Sequence, residues 1–288
     1  MQDLNYDLKT LCRRNRDGSR ATQANRHKRL QQMANDLHAL GFRCMRARSL
    51  KPKHVEALIT LWKAKALSIG TMKNRMTDLR WWAEKVDKKG VIRPHNADYD
   101  IGQRSFIPRA SKGLSLSEDT LRKIRDVYVR ISVQLQAAFG LRREEAIKFM
   151  PKYADQGDHV RLKDSWCKGG RARKIPIVKE AQRQVLNLAH QVVQTGSLIP
   201  ETLLYIDQLR IFERETAAVG LGNSHGLRHA YAQERYRELT GWDCPIVGGP
   251  VVKELSAVQR SIDLNAREIV SRELGHERVG IVAIYIGK

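Results

Sequence analysis

In the segment S-H-G-L-R-H-A-Y, His225, Arg228 and His229 fall at i, i+3 and i+4. On a helix they share one face. His-x-x-x-His at that spacing suits zinc. However, no Glu follows the first histidine, no cysteine is near, and Arg228 would repel the metal. A phosphate fits better: guanidinium offers its oxygens a fork, and imidazoles donate hydrogen bonds or move protons. Arg142 and Arg143 follow Gly140 in G-L-R-R-E-E-A-I-K-F-M, at an expected helix start. The helix dipole disfavours cations there, so either an anion binds or Arg142 pairs with Glu145 one turn on. Lys168-Gly169-Gly170-Arg171, with Arg173 and Lys174, lies between two strand-like runs and reads as a basic hairpin tip. His276 follows Gly275 at a helix–turn corner, and Tyr285 stands nine residues on in an apolar segment. Read alone, Tyr285 is a core tyrosine.

These residues need elements to hold them. Leu30, Met33, Leu37 and Leu40 form one apolar stripe in a helix over 21–41. Pro52 opens a second helix through Val55, Leu58, Leu61 and Trp62. Thr71 is expected to cap a third, carrying Met72, Met76, Leu79 and Trp82 and ended by Lys88-Lys89-Gly90. Of Trp81 and Trp82, one ring is expected in the core and one partly exposed. Residues 101–116 hold Pro108 and two glycines without periodicity, so a linker is placed at 107–116, between domains at 1–106 and 117–288. In the second domain one helix is expected from Glu118 to about Phe139. Strands are expected at His159–Leu162 and Arg173–Val178, then a helix over Glu180–Gln194 with Val185, Leu188 and Val192 in the core.

The chain has 288 residues, with 52 Lys and Arg against 31 Asp and Glu, a formal net charge of +21. That surplus calls for a polyanion partner, most simply nucleic acid. Residues 1–110 hold 24 basic against 10 acidic residues, so most of the surplus lies in the first domain. No apolar run reaches the ~20 residues of a membrane span, and no signal-peptide pattern opens the chain. Cys12, Cys44, Cys167 and Cys244 form no C-x-x-C pair, so zinc knuckles and disulfide frameworks are not expected. A cytoplasmic, nucleoid-associated protein is the simple reading.

Taken in order, Arg142, Lys168, His225, Arg228, His276 and Tyr285 form a constellation. It resembles the tyrosine recombinase (phage integrase) family. The matching motifs are G-L-R-x-x-E at Gly140–Glu145 and K-G-G-R-x-R-x-I-P-I at Lys168–Ile177. They continue with H-x-L-R-H at His225–His229 and L-G-H at Leu274–His276, with Tyr285 nine residues on. The form of the H-x-L-R-H segment is closest to integrases of mobile elements such as integrative conjugative elements, genomic islands or prophages. The resemblance implies a mainly α fold with a small β-sheet: an N-terminal helical core-binding (SAM-like) domain and an α+β catalytic domain. Two features depart from the family pattern. Between Arg228 and His276 lie 47 residues, about twice the family gap, including the loop-like G-W-D-C-P-I-V-G-G-P. Only Ile286, Gly287 and Lys288 follow Tyr285, where many relatives carry a tail that docks on a neighbouring protomer.

The chemistry fits a phosphodiester. Tyr285 can attack phosphorus and hold the DNA as a 3′-phosphotyrosine. Arg142 and Arg228 can clamp the non-bridging oxygens, where charge builds. His225 serves as base or proton relay, His276 as a further donor, and Lys168, by resemblance, protonates the departing 5′ oxygen. Glu145 and His229 support. Arg26, Lys28, Lys73, Arg75, Arg80, Arg171 and Arg173 are candidate DNA contacts. Neither metal nor ATP nor another cofactor is called for. The expected function is site-specific recombination of double-stranded DNA, integrating or excising a mobile element. It would proceed in a homotetramer on paired sites (monomer or dimer when free), with room for a DNA-bending accessory factor. The alternatives are a type IB-like topoisomerase, a non-catalytic DNA-binding regulator on the same fold and, more distantly, a metal-dependent nuclease.

Overall fold

The computed structural model describes residues 3–288. The chain divides between Ser105 and Phe106 into two units. Among the described residues there are α-helices throughout and one two-stranded antiparallel sheet, so the protein is mainly α with a small sheet.

The first unit is built from α1 (Asp3–Arg14), α2 (Arg20–Ala39), α3 (Pro52–Ala64) and α4 (Ile69–Lys85). The stripe on α2 is buried at Leu30, Met33 and Leu37 and meets Leu58, Trp62, Met76, Leu79 and Trp82. Pro52 opens α3, where a missing N–H costs nothing. Two boundaries differ from expectation. Ser68, not Thr71, caps α4: its Oγ accepts from Thr71 N at 3.2 Å, and Ile69 and Gly70 join the helix. α4 also ends at Lys85, before Lys88-Lys89-Gly90, because Asp87 turns left-handed with φ 59. The tryptophan pair divides as expected. Trp82 is buried and donates to Ala47 O at 3.0 Å, while half-buried Trp81 donates to Asp17 Oδ2 at 2.7 Å.

In the second unit the helix expected over 118–139 is two helices, α5 (Glu118–Lys123) and α6 (Val127–Phe139). Asp126 makes the break. Its Oδ1 accepts from Val129 N at 2.8 Å, and Glu215 accepts from Arg125 N at 3.0 Å. A short acid that can cap competes with continued helix. After Gly140 come α7 (Arg143–Ile147) and α8 (Pro151–Ala154). Strand β1 (His159–Leu162) pairs with β2 (Arg173–Pro176), from His159↔Pro176 to Leu162↔Arg173. Gly169-Gly170 is therefore not a two-residue turn. Residues 163–172 close the hairpin, and Trp166 within them packs on Phe149 and Tyr153. Burying that ring demands the longer loop.

α9 (Glu180–Val192) buries Gln182, Leu186 and Ala189, so its inner face is turned from the expected one. Leu188 is 41% exposed, and Val185 and Val192 are only partly buried. The remaining helices are α10 (Tyr205–Ala218), α11 (His225–Thr240), α12 (Ala257–Glu273) and α13 (Ala283–Ile286). The expected linker is not all open chain: Leu114 N donates to Gly226 O at 3.0 Å, and Leu114 and Leu116 pack against a buried cluster of this unit. Nor is the loop at Gly241–Pro250 wholly on the surface. Cys244 is completely buried in the main core, with Val282, Tyr285 and Ile286. No helix of the described residues is long and apolar enough to cross a membrane.

Candidate active site

Glu145, fully buried on α7, is the anchor of the site. Its Oε1 accepts from Arg142 Nη1 at 2.7 Å and from Arg173 Nη1 at 2.8 Å. Its Oε2 accepts from Arg142 N and from Arg173 Nη2, both at 2.7 Å. Burial opposes the charge of Glu145, but the bonds and charge of Arg173, then of Arg142, outweigh it and hold the carboxyl at about 2. Arg173 also donates from Nε to Glu273 O at 2.8 Å. One buried ion pair therefore ties the start of α7, strand β2 and the end of α12. A Cβ on Gly275, which has φ 66, would lie 2.9 Å from Arg173 Cδ, so this close approach requires glycine.

The end of α12 leaves backbone carbonyls without helical partners. Leu274 O accepts from Arg142 Nη2 at 3.2 Å and from Arg228 Nη2. Arg228 also donates to Gly140 O and, from Nε, to the Tyr285 hydroxyl at 3.4 Å. Arg228 is wholly buried. Burial, then the nearby charge of Arg142, lowers its pKa to about 10, so it stays charged at neutral pH. Two guanidinium groups close together favour an anion that would neutralise them.

The histidines gather around Tyr285. Ring centroids lie 4.6 Å away for His229, 5.4 Å for His276 and 5.9 Å for His225. His276 Nε2 is 3.5 Å from Arg228 Nη2. Partial burial, then the charges of Arg228 and Arg142, pushes His276 down to about 3. His229 falls to about 4 through burial and then His225, and its buried Nδ1 has no hydrogen-bond partner. His225 is lowered too, by lost hydration and then Arg228. Neutral imidazoles at ordinary pH can accept as well as donate a proton.

Five of the six expected catalytic side chains, Arg142, His225, Arg228, His276 and Tyr285, thus meet in one place. Lys168 does not: it lies exposed in the hairpin loop, without a hydrogen bond or ion pair to the others. That loop is tethered to the His276 turn by Arg171 Nη2, which meets Glu277 Oε1 at 2.8 Å.

The expected DNA contacts divide by burial. Lys28 and Arg171 are exposed, and Lys73 is half-buried. Arg26 is buried, 4.3 Å over the Trp81 ring and near Asp78; Arg75 pairs with buried Asp36 at 3.5 Å. Arg80 donates to Asn96 Oδ1 at 2.8 Å. Arg26, Arg75 and Arg173 are therefore occupied inside the protein, because each faces a buried acid, and a buried charge needs such partners. The role of Arg173 as anchor had no local sequence signal, since its partner lies 28 residues away.

Two family models match the chain, one described as phage integrase, N-terminal, over residues 1–89, and one described as integrase, over 112–234. The chain belongs to the phage integrase (tyrosine recombinase) family. The second match includes Arg142, Lys168, His225 and Arg228 but stops before His276 and Tyr285. Several solved integrase-family structures share the fold. A lambda integrase dimer bound to a COC′ core site has a TM-score of 0.64 and 16% identity, covering 98% of this chain and 76% of that one. The Tn1549 transposon integrase in complex with circular intermediate DNA scores 0.59 at 14% identity, covering 100% and 96%. The XerH site-specific recombinase in a post-cleavage complex with a palindromic difH substrate scores 0.60 at 15%, covering 98% and 80%. No curated protein matches the chain by sequence.

Proposed function

We propose that this integrase-family protein is a site-specific DNA recombinase that cuts and rejoins duplex DNA through Tyr285. The observation that carries this reading is the Tyr285 hydroxyl, hydrogen-bonded to buried Arg228, which shares the Leu274 carbonyl with Arg142. Solved relatives bound to DNA add support.

In the proposed step, Tyr285 Oη bonds to phosphorus and the P–O5′ bond breaks. The tyrosine proton passes to a neutral histidine, for which His225 is the candidate and His229 a neighbour. Arg142 and Arg228 each turn toward a non-bridging oxygen, strengthening as negative charge grows there. His276 donates a third hydrogen bond. Lys168 comes in with its loop and gives a proton to the 5′ oxygen. The DNA 3′ phosphate is then esterified to Tyr285. Attack by a 5′ hydroxyl from a second duplex reverses the sequence with no net loss of phosphodiester bonds, so ATP is not needed. The first unit, with its basic surplus, holds the duplex from residues such as Lys28 and Lys73. Two duplexes and four protomers make the working assembly, with an accessory bending factor admitted, and the natural substrates are the ends of a mobile element.

The test is a strand-exchange assay with two duplexes bearing the element's joined ends. Recombinant products and a four-protomer synapse are expected. Relaxation of supercoiled plasmid by a monomer, without joined products, would establish the topoisomerase reading instead.

A further inference from the structure

The helix that carries Tyr285 is one turn long, Ala283–Ile286. A helix that short does not hold itself in water. It follows directly on a 3-10 turn, Val279–Val282, and the chain after it is tied back by Gly287 N to Ala283 O at 3.0 Å. The backbone around Tyr285 is instead held by side chains from two other helices. Gln233 Nε2 on α11 donates to Tyr285 O at 3.0 Å. Arg267 Nη1 on α12 donates to Gly287 O at 2.9 Å. Arg267 is itself fixed: its Nε meets Asp263 Oδ1 and Oδ2 at 2.9 and 2.8 Å, and Asp263 accepts from the Tyr236 hydroxyl. All three of these side chains are buried.

The extra segment between Arg228 and His276 supplies the remaining wall. It turns tightly, with Gly249 N donating to Cys244 O at 3.1 Å. A Cβ at Gly249 would overlap Asp243 O, and buried Cys244 belongs to the same core cluster as Tyr285. Pro245 and Ile246 lie so close to the chain after Tyr285 that a Cβ at Gly287 would stand 2.8 Å from Ile246 N.

We propose that Gln233 and Arg267, backed by the Cys244–Gly249 turn, form a latch within the same chain that sets Tyr285 against Arg228. They are positioning residues: neither touches the hydroxyl, but both fix the backbone that carries it. The longer gap between Arg228 and His276 thereby gains a task. The inference rests on the assignment of Tyr285 as nucleophile, and it deepens that reading.

Arg267→Met, Arg267→Lys, Gln233→Leu and Gly287→Ala are compared with wild type on one nicked duplex bearing the element's end. Equilibrium binding, thermal midpoint and the single-turnover rate of covalent adduct formation are measured. Misplacement of a reacting atom by about 1 Å costs on the order of 100-fold. We therefore expect Arg267→Met and Gln233→Leu to bind the duplex as wild type does while adduct formation slows by about 10- to 100-fold. Arg267→Lys should recover part of the rate. Gly287→Ala strains the backbone at φ 84 and pushes on the Pro245–Ile246 wall, so it slows cleavage by displacing the chain after Tyr285. Wild-type rates in these variants, or losses of rate and binding that track the thermal midpoint, overturn the latch. Tyr285→Phe is run alongside. If it still forms the adduct, the nucleophile assignment fails and the latch with it. If it forms none while the latch variants cleave normally, the latch alone fails.

Discussion

Arg142 and Arg228 converge on one oxygen, the main-chain carbonyl of Leu274. They lie 86 positions apart in the chain, and the carbonyl that joins them immediately precedes Gly275 and His276. The end of α12 thus holds both guanidinium groups. In the proposed reaction a phosphate takes over part of that role. Replacing either arginine should slow covalent cleavage by about 100- to 1,000-fold, the scale of losing one oxyanion donor. Arg228→Lys keeps the charge but loses the fork, so it should be nearly as slow as Arg228→Ala. Single-turnover cleavage at saturating protein checks this. Equal rates in wild type and Arg228→Lys would show that charge alone suffices.

Glu145 and Arg173 form a buried pair: removing Glu145 leaves the buried Arg173 without its acid, and removing Arg173 leaves the buried Glu145 with Arg142 as its one cationic partner. Glu145→Gln or Arg173→Met should cost about 3–5 kcal/mol in unfolding free energy. The double substitution should cost less than the sum of the two, because neither charge is then left alone. Urea unfolding of the four proteins measures both statements. Simple additivity would contradict the pairing.

Acid should weaken the fold in a definite window. The imidazoles of His276 and His229 are held at about 3 and about 4, below their ordinary 6.5. Between those values the unfolded chain binds more protons, so stability falls as pH drops below about 6.5. Glu145, held at about 2 against an ordinary 4.5, adds a further loss as pH falls below about 4.5. Denaturant midpoints from pH 7 to pH 4 should fall steadily. His276→Gln should flatten the slope by up to about 1.4 kcal/mol per pH unit. An unchanged slope would mean that His276 is not held neutral.

Lys168 is assigned to the leaving oxygen although it lies apart from the cluster. Lys168→Ala should therefore cleave ordinary DNA slowly and recover on a duplex whose scissile 5′ oxygen is replaced by sulfur. A thiolate leaves without being protonated, being a far weaker base than an alkoxide. Failure of the sulfur substrate to restore cleavage would remove Lys168 from the acid role.

In the first unit, charge alone is a poor guide to contact. Lys28→Ala should reduce the salt dependence of DNA binding by about one unit of slope. Arg26→Ala, with Arg26 buried at Asp78 and Trp81, should instead lower thermal stability and leave the slope unchanged. Titrations at several salt concentrations, with melting curves, separate the two.

Much of the site was legible in the sequence because short spacing determines it. His225, Arg228 and His229 must share a face at i, i+3 and i+4, and they do. Gly140 before Arg142 predicts a chain reversal into a new helix, which α6 and α7 make. Pairings across long separations were not legible. Arg173 reads locally as one more basic residue on a hairpin, but its acceptor is Glu145 on another element. Nothing in the local sequence marks Arg267, which donates to Gly287 O twenty residues on. The single helix expected over 118–139 failed for a local reason: Asp126 matches a cap as well as it matches a helix interior, and contact with Glu215 decides between them. The extra segment after α11 looked like a loop by its glycines and prolines, and only tertiary packing shows that its Cys244 joins the core cluster that includes Tyr285.

In the proposed reaction Tyr285 becomes covalently joined to DNA. The most direct measurement uses a nicked duplex that traps the cleaved strand, incubated with EDTA, followed by denaturing electrophoresis and peptide mapping of any adduct. A denaturant-resistant adduct is expected in wild type, mapped to the peptide containing Tyr285, and none in Tyr285→Phe. No adduct on a duplex the protein demonstrably binds, or an adduct on another residue, would contradict it.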